Sequence, residues 1–132
     1  MAVDDVVDFD PAVVRAVVRR EDHVAIVFDQ QPCYSRATGE APRIVPLYNC
    51  EIRVWDAQIE LIEVEFPYEA RDWEVCFDGG SRSYFLPVNF AAAGPSKVTI
   101  GSLDSPRIVV SGNKVSLELG EQVGTFEQRL AT

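Results

Sequence analysis

The chain has 132 residues, 47% of them apolar and 25% charged, which fits one globular domain and excludes a disordered chain. Its net charge is −9, with 21 acids against 12 bases, so its field repels nucleic acid and anionic membrane surfaces and favours a basic protein partner. No apolar run approaches the ~18 residues of a membrane helix, and the start Met-Ala-Val-Asp-Asp lacks the pattern of a secretory signal.

From the N-terminus, Asp10-Pro11 could open a short helix. Yet Val13, Val14, Val17 and Val18 are β-branched and better suited to a strand. Val24, Ile26 and Phe28 alternate with other residues at a period of two. We therefore expect a hairpin of residues 12–19 and 23–29 turning at Glu21-Asp22, with a helix over 10–19 as the alternative. Residues 30–47 show no periodicity and contain Pro32, Gly39, Pro42 and Pro46, which predicts a long loop.

Residues 50–66 carry apolar side chains in two phases. Ile52 and Val54 share one face, Trp55, Ala57, Ile59 and Leu61 the other, and Ile62, Val64 and Phe66 switch back. Two strands with a bend near Asp56 fit this better than a helix, which would turn Val54, Leu61 and Val64 outward. Trp73, Val75 and Phe77 then alternate with acids, and Gly79-Gly80 suggests a hairpin turn placing Trp73 opposite Leu86. That strand would run on to Val88 and Phe90, with Pro87 at an edge or bulge. Ala91–Pro95 reads as a break before a strand at 97–101. A last hairpin is expected from 107–111 and 114–119, turning at Gly112-Asn113, with Val110 opposite Val115 and Ile108 opposite Leu117. Short strands punctuated by turns predict an all-β, mostly antiparallel domain, a β-sandwich or open β-barrel.

Catalytic signatures are absent. The one histidine, His23, sits at a predicted turn, and pairing it with Cys33 as base and nucleophile is a remote reading. Cys33, Cys50 and Cys76 are odd in number and have no CxxC spacing, which argues against disulfides and zinc and for a reducing cytoplasm. Asp4, Asp5, Asp8 and Asp10 lack the glycine of a calcium loop. Gly79-Gly80-Ser81 lacks the lysine of a phosphate loop. No metal or cofactor is expected.

Two recognition surfaces remain. Residues 51–78 hold nine acids against two bases, and Glu60, Glu63, Glu65 and Glu74 could form an acidic face. Tyr34, Arg36, Arg43 and Tyr48 bring hot-spot residue types to the predicted loop. The expectation is a non-enzymatic protein-interaction or scaffold module with an acidic surface. It could form a homodimer through the near-neutral strands at 107–111 and 114–119. The alternatives are a barrel binding a small ligand between Trp55, Trp73, Phe77 and Tyr84, and an enzyme using paired carboxylates.

Overall fold

Alternation in the sequence becomes alternation of burial. In a computed structural model describing residues 5–35, 43–102 and 104–128, Trp73 and Val75 are buried while Glu74 is only partly covered and Cys76 is exposed. Eleven strands form and, among the described residues, no helix. In chain order they are β1 (Val6–Asp8), β2 (Ala12–Arg19), β3 (His23–Tyr34), β4 (Arg43–Trp55), β5 (Gln58–Ile62), β6 (Tyr68–Ala70), β7 (Trp73–Phe77), β8 (Gly80–Arg82), β9 (Phe85–Pro87), β10 (Ala91–Ser102) and β11 (Ser105–Gln128). Every pairing is antiparallel, in the order β6-β2-β3-β4-β11-β10-β7-β8. β5 adds to β11, and β1 bridges β3 and β9. The domain is all-β and open, consistent with a sandwich or an open barrel.

β11, 24 residues long, joins the two halves. Its first part lies between β10 and β5, and its second part pairs with β4. The inward faces of both halves meet in one cluster that includes Val24, Ile26, Ile52, Val75, Val98, Ile100, Ile108 and Val110. Phe9 links them, packing edge-on against Phe28 at 4.8 Å and Trp73 at 5.2 Å.

The N-terminal hairpin has the predicted strands, with Arg19 opposite Val24, and β2 takes the place of the alternative helix. The bend at Asp56 also forms, where φ is +49° between β4 and β5. The long loop is much reduced. Residues 30–34 continue β3 and Arg43–Leu47 open β4, while 36–42 lie outside the described residues. Gln31 explains why a polar residue sits inside that strand. It is 1% exposed, its Nε2 donates to the carbonyls of Asp8 (2.7 Å) and Pro11 (3.1 Å), and its Oε1 accepts from the Val13 amide (2.8 Å). The side chain ties the chain on either side of the β1–β2 link to β3.

Two hairpin readings are corrected. The chain does not turn at Gly112-Asn113; β11 runs straight through, and Val110 lies opposite Val98 and Ile59. A two-residue hairpin turn of the predicted kind needs positive φ, which neither residue adopts. Gly112 instead permits close approach, since a Cβ there would collide with the Trp55 carbonyl oxygen. The β7–β8 hairpin does form, but turns at Asp78-Gly79, placing Phe77 opposite Gly80 and Val75 opposite Arg82. A shift of two residues keeps every side chain on its predicted face, so Trp73 remains core at 4% exposure although its neighbour is Ile100 and not Leu86. The return strand stops at Arg82. Leu86 and Pro87 pair with β1, where the proline occupies a peripheral strand. The break expected at 91–95 is a register shift within β10 around Gly94-Pro95.

Candidate interaction surfaces

One surface is built by bulges. Val14, Phe28, Cys50 and Leu119 form a single row across β2, β3, β4 and β11. Beside it the register shifts three times, between Val14 and Ala16, between Phe28 and Gln31, and between Leu119 and Gln122. Bulges bend a sheet and re-aim side chains. Here they flank an outward groove of about 340 Å³ lined in part by Arg15, Arg20, Asn49, Glu51, Arg53 and Glu118.

Charge within the groove is organised around Glu51. Arg20 donates to both its oxygens at 2.6 and 3.1 Å, and Arg53 Nε donates to Oε1 at 2.7 Å. Arg53 also reaches Glu118 at 3.9 Å. The Arg20 hydrogen bond, aided by Arg53 and opposed by partial burial, holds the Glu51 carboxyl below its ordinary value. A lowered carboxyl pKa contributes stability at neutral pH that is lost as pH falls through the folded value. Glu51→Gln should therefore cost about 1 kcal/mol near pH 6, a modest amount because the pairs are partly solvated. Denaturant melts of the two proteins should converge as pH falls through the lowered folded value of Glu51.

Beside the groove, His23, Trp55 and Lys114 form a cross-strand row. The His23 ring lies 4.6 Å from Trp55, and the Lys114 ammonium lies 5.4 Å from the indole centroid. The histidine is held in place, with Nδ1 at 2.7 Å from Asp22 and Nε2 at 3.3 Å from Arg20. Cys33 lies near the other end of β3, roughly 30 Å away along an extended strand, so the two cannot act as a catalytic pair. Of Trp55, Trp73, Phe77 and Tyr84, only Trp73 and Tyr84 line one hollow, an open one of about 290 Å³. Trp73 is core, Phe77 packs on Phe90, Trp55 belongs to the outer row and Tyr84 is 41% exposed. Among the described residues no group of His, Cys, Asp and Glu is arranged to hold a metal. Nor is any helix long and apolar enough to cross a membrane.

The second surface is the outer side of β5, β11, β10 and β7. A cleft of about 600 Å³ opens there, with Asp56 and Gln58 on one side, Cys76 and Asp78 on the other, and Lys97 and Asn113 among the remaining lining residues. Lys97 is its one cation among the described residues, and Glu60 holds it at 3.7 Å. Glu74 lies on the same face as Cys76, whose thiol donates to it at 3.0 Å. Of the predicted acidic set, the structure thus brings Glu60 and Glu74 to one outer face, where Glu60 alone pairs with Lys97 among the described residues. Glu63 and Glu65 are exposed beyond the end of β5.

The predicted loop residues are placed only in part among the described residues. Tyr34 meets Phe126 edge-on at 6.5 Å, and Tyr48 packs against the core. Arg43 opens β4, and Arg36 lies outside the described residues. The strand at 107–111, expected to serve a homodimer, is enclosed by β10 and β5. Among the described residues, β11 has β4 alone beside it only beyond Leu117. Sequence reading missed the bulge groove, whose one visible trace is the polar pair Gln30-Gln31 inside an apolar alternation.

The thiols give a chemical check on burial. Burial, with the Asp5 charge beside it, pushes the Cys33 thiol up to about 11, and burial pushes Cys50 up as well. Cys76 is exposed, but its hydrogen bond to Glu74 raises it to about 11. At neutral pH a disulfide-exchange reagent should modify Cys76 first and slowly, and all three only in denaturant. Glu74→Gln should speed the first reaction while leaving the melting temperature unchanged.

Compared with protein-family models, curated proteins and solved structures, the chain matches none of them.

Proposed function

We propose that this protein is a non-enzymatic protein-interaction module that receives a basic partner on the outer face of β5, β11, β10 and β7. One observation carries the reading. Asp56 and Asp78 stand across an open cleft whose single cation among the described residues is already held by Glu60, with Glu74 on the same face. Such a face offers carboxylates to incoming Lys or Arg side chains, and its field raises the rate of encounter. The packed apolar cluster beneath supplies rigidity, so that binding orders little of the module itself. Three cysteines free of disulfides support a place in the reducing cytoplasm. A homodimer would use the edge of β11 beyond Leu117, which leaves the acidic face open.

Affinity capture with the intact protein and with Glu60→Lys/Glu74→Lys tests this reading. Both changes are on the surface, so folding should be preserved. The native protein should retain basic proteins that salt releases, and the variant should lose them. Retention of the same partners by both proteins would refute it.

A further inference from the structure

The edge of β2 is only half covered. β6 pairs with Ala12–Val14, placing Glu69 opposite Val13, while β2 runs on to Arg19. Among the described residues no strand lies on the outer side of Arg15–Arg19. Arg15, Val18 and Arg19 are exposed there. Neither Arg15 nor Arg19 forms an ion pair among the described residues. Arg15 also lines the bulge groove, joining the open edge to that hollow. In a chain of net charge −9, this five-residue edge contains two cations and no acid. Asp22, just beyond it, is held by His23.

We propose that Arg15–Arg19 of β2 is a docking edge for an extended acidic segment of another protein, which adds as a strand in line with β6. Unpaired backbone groups on an edge supply the ladder, and side chains supply the selectivity. The intramolecular occupant of this same edge, Tyr68-Glu69-Ala70, is itself a short strand with a central glutamate. An acidic strand continuing that line would place carboxylates beside Arg15 on the outward face of the sheet or beside Arg19 on the other, since the bulge before Ala16 sets the two arginines on opposite faces. The net negative charge of the protein does not prevent this, because at physiological salt fields decay over about 8 Å and the distant acids are screened. A partner strand covering five residues would span about 17 Å.

The test uses a fluorescent octapeptide of alternating threonine and glutamate at about 0.15 M salt, an ionic strength that screens the distant acids. Its controls are a threonine–lysine peptide and a threonine–glutamate peptide N-methylated at alternate residues. The acidic peptide should bind at least about tenfold more tightly than either control and should slow amide exchange across residues 15–19. Arg15→Glu/Arg19→Glu, both at exposed positions, should abolish binding and leave the melting temperature unchanged. Equal binding of the lysine peptide, undiminished binding of the N-methylated peptide, or binding without slowed exchange at 15–19 would each overturn the proposal. So would protection of 15–19 in the free protein that rises with its concentration, since a second copy would then be the occupant.

Discussion

Replacing Trp73 with alanine should destabilise the protein by about 3–5 kcal/mol, the usual cost of removing a large buried aromatic. The side chain is 4% exposed, and three contacts depend on it. It packs edge-on against Phe9 at 5.2 Å, its Nε1 donates to the Phe9 carbonyl at 3.0 Å, and it stands opposite Ile100 on β10. Phe9 in turn touches Phe28, so the indole is one link in the chain of rings between the two halves. Alanine leaves a cavity and an unpaired carbonyl together. Trp73→Phe should cost less, because it retains most of the volume and loses the hydrogen bond. Denaturant midpoints of the three proteins should rank in that order, and an alanine variant melting with the native protein would contradict the packing.

Gln31→Leu should cost about 2–4 kcal/mol although it makes the strand more apolar. Leucine nearly matches the volume of glutamine but leaves the Val13 amide and the carbonyls of Asp8 and Pro11 without their partner. Unpaired polar groups cost more than a made hydrogen bond contributes, and water can reach only some of them. The damage should be local, so amide exchange should quicken first in β1 and the start of β2. Stability equal to the native protein in Gln31→Leu would mean that the amide does not anchor these segments.

Legibility in the sequence followed the range of the interactions. Alternation over 12–19 and 23–29 located β2 and β3, because one strand face meets the core and the other meets solvent. The phase change near Asp56 marked a real bend. Gly112-Asn113 misled because glycine serves both turns and close approaches, and a sequence does not distinguish them. Whether Gly112 turns the chain depends on Trp55, far away along it. Asp78-Gly79 and Gly79-Gly80 are both acceptable turn pairs, so the register of that hairpin was open by two residues while its faces were not. The bulge groove was hidden for the same reason, since it exists only where shifts in three strand pairs align. Of the acidic surface, composition revealed the charge and not its grouping. Glu60 reaches Lys97, and Glu74 shares the outer face of that sheet, through pairings with β11 and β10 that no local pattern announces.

The central claim is that a basic partner lands on the outer face of β5, β11, β10 and β7. An amide chemical-shift titration of the isotope-labelled protein with an oligolysine peptide tests it most directly. Shifts should concentrate at residues 56–60, 74–78, 95–97 and 111–113 and diminish with salt. Shifts spread evenly over all exposed acids, or strongest around Glu51 and Glu118 in the bulge groove, would contradict it.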